Sequence, residues 1–293
     1  MSDERYVHVN GEVVPESEAT VSVRDRGFAY GDAVFETLRA YGGEVFEWEA
    51  HAERLAGSCA ALGIDHGLSE ADLRPRIDET LSANGFDEAY VKLSITRGVQ
   101  PGKLTPKPVS DPTVVVIAAE LPRGGPDGDP VWDGPASATI ADVRRVPDAC
   151  LPARAKTHNY LNGILARREA LAAGTDEAIT LDLAGNLAEG ATCNLFFVRD
   201  ETLCTPSLSG PILPGITRRV VLELAGEEGI PVEEATYRPD DLLTADEAFL
   251  TNTTWEVRPL VRVDDRVVER GPITERLREA FSERIAAHYE TVD

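Results

Sequence analysis

Between Lys156 and Asn194 the chain reads KTHNYLNGILARREA, then DEAITLDLAGNLAEGATCN after a short connection, and few folds accommodate that order of patterns. Leu161, Ile164, Leu165, Arg168 and Leu171 recur at spacings of three and four, and Gly174 follows where a helix would stop. A helix is therefore expected over Asn159–Ala173. Beyond it, Ala178–Leu183 and Leu195–Val198 read as strands, with a turn at Ala184-Gly185-Asn186 between them. Glu189 falls in the small-residue link after that turn. Lys156 sits just ahead of the helix, on the connection leading into it.

One amine and one carboxylate thus lie where folding can bring both to a site. A lysine near a helix start can form an imine with an aldehyde cofactor, and a carboxylate can keep a pyridine nitrogen protonated so that the ring withdraws electrons. On a surface the same two residue types would make an ordinary salt bridge.

The motifs K-x-x-N-x-L at Lys156–Leu161, D-E-A-x-x-L-D at Asp176–Asp182 and A-E-G-x-x-x-N-L-F at Ala188–Phe196 resemble those of class IV aminotransferases, the fold type IV pyridoxal-phosphate enzymes. RDRGFAYGDAVFETLRAYGG (24–43), HAERL (51–55), LPGITRR (213–219) and DEAFLTNTTWEVRPL (246–260) extend the similarity, in the family's order, over most of the chain. The resemblance implies a mixed α/β (α+β) fold in two lobes. The smaller N-terminal lobe would span 1–121 and the larger C-terminal lobe 131–293. The Gly/Pro-rich stretch PRGGPDGDP (122–130) is the expected linker.

It also implies pyridoxal 5'-phosphate carried by Lys156, with Glu189 on the ring nitrogen. Arg54, Ile216, Thr217 and Thr253 would anchor the phosphate, and Tyr30, Thr37 and Thr254 would meet the substrate. An arginine suits phosphate because its planar fork can bind two oxygens at once. The amides opening a helix at Ile216-Thr217 suit it through their exposed N–H groups. The family is usually homodimeric.

Fifty-one acidic residues face 29 basic ones, giving a net charge of −22. Only four of the basic residues are lysines, and Asp and Glu are spread through every segment. Nucleic-acid binding is disfavoured by that balance. Self-repulsion on this scale opposes compaction unless salt screens it, so the expected setting is a halophile's cytoplasm. No apolar run reaches membrane-spanning length, the charged start MSDERYVHVN is no signal peptide, and the scattered histidines and cysteines suggest no metal site.

Taken in order, Val7–Val9 and Val13–Val14 flank Asn10-Gly11, a hairpin signal. A glycine-marked bend follows, then a strand at Ala33–Ala40 and helices at Trp48–Leu62 and Glu70–Ala83. Strands are expected at Ala89–Thr96, Thr113–Ala118 and Ala248–Asn252. Further helices are expected from Leu213 to about Glu228 and over Ile273–His288.

The substrates implied are an amino acid and a 2-oxo acid. GPIT at Gly271–Thr274 is similar to branched-chain aminotransferases. The Lys156–Asn159 spacing and Thr192-Cys193-Asn194 are closer to the D-amino-acid and aminodeoxychorismate lyase branches, and Thr37 resembles the lyase branch. The loop VQPGKLTP carries neither the Arg nor the His that D-specific members often place there. Aminotransferase is the first reading and the lyase the second; a pyridoxal-phosphate binder without turnover is the non-enzymatic alternative. The charge yields a first prediction: the melting temperature should climb steeply from low salt to molar potassium chloride, and a flat profile removes the halophilic reading.

Overall fold

The computed structural model describes residues 4–100, 102–107 and 111–290, so Pro101 of the VQPGKLTP loop and the first three residues lie outside it. The chain divides into two compact units that interleave in sequence. One comprises Met1–Gly128, Ala155–Asn159 and Ile285–Asp293; the other comprises Asp129–Arg154 and Tyr160–Arg284. Lys156, expected with the larger lobe, thus packs with the first unit.

Among the described residues the first unit holds β1 (Tyr6–Val9), β2 (Glu12–Pro15), α1 (Arg26–Tyr30), β3 (Ala33–Tyr41), β4 (Glu44–Val45), α2 (Trp48–Leu62), α3 (Glu70–Asn84), β5 (Ala89–Thr96) and β6 (Val114–Glu120). Its strands form one antiparallel sheet in the order β2-β1-β6-β5-β3-β4. The β1–β2 hairpin turns at Asn10 (φ 51°) and Gly11 (φ 103°), two left-handed residues that suit the strand twist.

Successive side chains on a strand point to opposite faces. Val34, Leu38 and Ala40 of β3 and Val91, Leu93 and Ile95 of β5 share one core with Leu55, Cys59 and Ile77 of α2 and α3. Each fully buried aliphatic chain contributes about 1.5–3 kcal/mol there. The alternation puts Phe35, Thr37, Arg39 and Tyr41 on the other face of β3, beside Tyr90, Lys92 and Ser94 of β5. The expected bend before β3 is instead a one-turn helix. Asp25 caps α1 by accepting the Gly27 amide at 2.7 Å, and Gly31 (φ 68°) ends it.

The second unit holds β7 (Ala136–Ile140), α4 (Leu161–Ala173), β8 (Glu177–Leu181), β9 (Leu187–Gly190), β10 (Asn194–Arg199), β11 (Thr202–Pro206), α5 (Ile216–Glu227), β12 (Val232–Ala235), α6 (Pro239–Leu243), β13 (Glu247–Asn252), β14 (Glu256–Val263) and β15 (Arg266–Val267). The final helix, α7 (Pro272–Glu290), begins here and ends in the first unit. Its sheet runs β12-β11-β10-β13-β14-β7-β8-β9, with β15 beside β14. The β14–β7 and β7–β8 pairings are parallel and most others antiparallel, so the mixed architecture expected from the sequence is present. Glu189, expected in a link, lies on β9, where Ile179 pairs with Gly190 and Leu181 with Leu187.

Candidate active site

Ala155–Asn159 reaches the first unit's sheet by backbone pairing on the edge of β3. Phe35 N–H donates to the Lys156 carbonyl and His158 N–H to the Ala33 carbonyl, both at 2.9 Å, with a bridge between Val34 and Thr157. The Asn159 amide group donates to the Gly31 carbonyl at 3.0 Å. The lysine's backbone is therefore fixed at both ends of one short strand-like segment.

Its amine lies over the Phe35 ring, 4.6 Å from the centroid, and Lys92 lies over the same ring at 4.7 Å. His158 meets that ring edge-on at 5.3 Å. Burial first, and then the Lys156 charge, hold the Lys92 pKa below that of an ordinary lysine. Thr37 stands directly across from Lys92 in the β3–β5 register. Tyr30 is 41 % exposed, which excludes a role as plain core filling, and the Arg26 guanidinium lies 5.0 Å from its ring centroid.

Arg54 lies on α2 in a polar stripe with His51 and Ser58, spaced three and four along one helix face. Its Nε and Nη2 donate to the two oxygens of Glu36 at 2.9 and 2.6 Å. The two-pronged grip expected for a phosphate is thus made on a carboxylate. His51 completes the cluster at 2.8 Å from Nδ1 to Glu36; burial lowers the ring's pKa, so it stays neutral and donates from Nδ1. Burial pushes the Glu36 carboxyl up, but Arg54's charge and hydrogen bond, with that of His51, outweigh it and pull the pKa down to about 2.

In the second unit, Glu189 Oε1 accepts from Arg145 Nε at 2.8 Å. Its Oε2 accepts from the Leu213 amide at 3.0 Å and the Asn194 amide group at 3.3 Å. Asn194 also donates to the Leu213 carbonyl at 3.0 Å, tying the carboxylate to the turn that opens α5. Gly215 is required in that turn, because a Cβ there would sit 2.0 Å from Asn194 Oδ1. Ile216 and Thr217 form the buried first turn of α5, and the N-cap contributes no side-chain hydrogen bond to it. Thr253 and Thr254 follow β13 in a turn built on Asn252, whose Oδ1 accepts the amides of Thr254 and Trp255 at 3.0 and 2.7 Å and the Thr254 hydroxyl at 3.1 Å.

The chemistry of the donors within each unit suits pyridoxal phosphate. In the first unit an amine and a guanidinium are held in place. In the second an arginine-paired carboxylate is joined through Asn194 to a helix start whose N-cap glycine leaves no side chain in the way. Sequence reasoning missed Glu36, His51, Ser58, Lys92, Arg145 and Asn194 as members of these clusters. Lys92 carried a signal: it is one of four lysines and alternates with Val91 and Leu93 on a strand.

Residues 33–263 match the family model for amino-transferase class IV. A putative branched-chain-amino-acid aminotransferase of Methanocaldococcus jannaschii is 42% identical over 281 residues, covering 94% of this chain and 95% of the relative. A D-alanine aminotransferase of Staphylococcus haemolyticus is 32% identical, covering 95% and 97%. The crystal structure of a T.th. branched-chain amino acid aminotransferase with pyridoxamine 5'-phosphate has a TM-score of 0.90 at 32% identity, covering 98% of this chain and 97% of that one.

The Glu36 cluster makes a pH prediction. Its folded pKa of about 2 lies below the ordinary 4.5, so the unfolded chain holds the proton more tightly. The stability this group contributes is complete above the ordinary value and is lost as pH falls through that window. Glu36→Gln should cost about 3–5 kcal/mol at neutral pH, since it leaves Arg54 buried without its counter-charge. Denaturant melts in molar salt should show the gap to wild type narrowing as the medium is acidified below the ordinary carboxylate value. A gap that stays constant, or is absent, contradicts the assignment.

Proposed function

The chain belongs to the class IV amino-transferase family, and on that premise we propose that it moves an amino group between an amino acid and a 2-oxo acid, with Lys156 as the residue that carries pyridoxal phosphate. Bound pyridoxal phosphate supplies an aldehyde carbon and an electron-withdrawing ring. Once the incoming substrate amino group has displaced it, the Lys156 amine would act as base and acid, taking up the substrate α-proton and giving it back. Glu189, which accepts from Arg145 Nε at 2.8 Å, would hold the proton of the ring nitrogen. Arg54, oriented by Glu36, would contribute positive charge to the phosphate, and the α5 amides of Ile216 and Thr217 and the Thr253 hydroxyl would donate to it.

Tyr30, Thr37 and Thr254 are assigned to the substrate. The single observation that carries this reading is the Lys156 amine set over the Phe35 ring by backbone pairing to β3. A branched-chain amino acid is the proposed donor, supported by the 42% identical relative and by the structural likeness to the T.th. enzyme. Homodimeric assembly belongs to the same proposal; Leu161, Ile164 and Leu171 of α4 stand 54–81% exposed, an apolar stripe suited to a second copy. A reducing, cytoplasmic setting is supported by four unpaired cysteines, three of them buried.

Spectroscopy of the loaded enzyme tests the function. L-leucine or L-glutamate alone should bleach the visible band of the bound cofactor, and 2-oxoglutarate or another oxo acid should restore it. If L-amino acids leave the band untouched while D-alanine bleaches it, the D-specific branch replaces the proposed donor. If no amino acid of either hand acts, and aminodeoxychorismate yields pyruvate and 4-aminobenzoate without an acceptor, the lyase reading replaces both.

A further inference from the structure

Ser58 is buried on α2, 1% exposed, four residues after Arg54. Its hydroxyl donates to the Arg54 carbonyl at 2.9 Å and accepts the Lys156 backbone N–H at 3.0 Å. Both hydrogen bonds belong to one oxygen, so the lysine's main chain and the arginine's helix are held to a common point. A second route joins the same two residues. The Arg54 guanidinium is clamped on Glu36, Glu36 follows Phe35 in the chain, and the Phe35 N–H donates to the Lys156 carbonyl at 2.9 Å. These links close a ring: Lys156, Ser58, Arg54, Glu36, Phe35 and back to Lys156. In it the two groups that would meet the cofactor's aldehyde and phosphate are tied through both backbone and side chain.

We propose that Ser58 is a positioning residue that sets the separation between the Lys156 amine and the Arg54 guanidinium, and so matches it to a ligand carrying an aldehyde at one end and a phosphate at the other. The proposal rests on the roles assigned above to Lys156 and Arg54. The physical ground is the chelate effect. When one ligand engages two fixed groups, the second contact is intramolecular, and its benefit depends on how well the spacing of the groups matches the ligand. Without the hydroxyl, the Lys156 N–H loses its acceptor on α2, and the lysine's backbone is no longer tied to the helix that carries Arg54. Each group keeps its chemistry, but the spacing relaxes.

The signature is a change in the preference between two ligands. Pyridoxal phosphate engages both groups. Pyridoxal has the same aldehyde and ring but no phosphate, so it engages only the amine and is indifferent to the spacing. Dissociation constants of both for the full-length apoprotein, read from the visible absorbance of the lysine-bound ligand, give the ratio directly. In Ser58→Ala the advantage of pyridoxal phosphate over pyridoxal should shrink about tenfold or more. In Ser58→Thr, which keeps the hydroxyl, it should return toward the wild-type ratio.

An unchanged ratio in Ser58→Ala overturns the proposal, whether both affinities are intact or both fall equally; equal loss with a lower melting temperature marks Ser58 as structural only. Should the alanine variant not fold, Ser58→Cys keeps the volume with a much weaker acceptor and is judged by the same ratio. The wild type separates this inference from its premise. If the wild-type protein attaches neither ligand at Lys156, the functional reading fails and takes the proposal with it; a normal wild type with an unmoved variant ratio sinks Ser58 alone.

Discussion

Two backbone hydrogen bonds, forming the bridge between Val34 and Thr157, pin Ala155–Asn159 to the start of β3, and the placement of Lys156 depends on them. The segment comes from far along the chain, after β7, yet pairs as an added strand on the sheet of the first unit. Main-chain hydrogen bonds are an economical way to place a reactive amine. They fix the lysine's Cα and leave its side chain to be steered by what lies beneath, here the Phe35 ring with Lys92 on the same ring and His158 at its edge. Burial lowers the His158 pKa to about 4, with Lys92 adding to the effect, so the amines share that ring with a neutral imidazole.

Each unit spends an arginine on a buried or nearly buried carboxylate: Arg54 on Glu36, and Arg145 on Glu189. Such pairs add little net stability, because desolvation offsets most of the attraction. Their effect is orientation. Glu36 fixes which way Arg54 points, and Arg145, Asn194 and the Leu213 amide together fix the Glu189 carboxylate. In a chain with net charge −22, arginines directed inward to two specific carboxylates carry more positional information than those spread over an acidic surface.

Much of this was legible in the sequence, for identifiable reasons. The bounds of α2 follow from its apolar spacing and the glycine after Leu62, and the β1–β2 hairpin follows from Asn10-Gly11. Strand β9 was not legible because Leu-Ala-Glu-Gly offers neither alternation nor β-branched residues; its pairing with β8 is a tertiary effect. The helix α1 was hidden by its shortness, with Gly27 inside it and Gly31 at its end. Ser58 and Arg145 were invisible for a different reason. Their roles come from partners about 98 and 44 positions away, which spacing along a helix or strand cannot encode. The motifs named Lys156 and Glu189 through resemblance, while the groups that orient them emerge only from the folded chain.

With four lysines in the sequence, the attachment point of the cofactor can be read without ambiguity. The loaded protein, reduced with borohydride and digested, should give one pyridoxyl-phosphate adduct by mass spectrometry, on the peptide that contains Lys156. An adduct on Lys92, Lys103 or Lys107 instead, or no adduct from a protein that has bound the cofactor, would contradict the account.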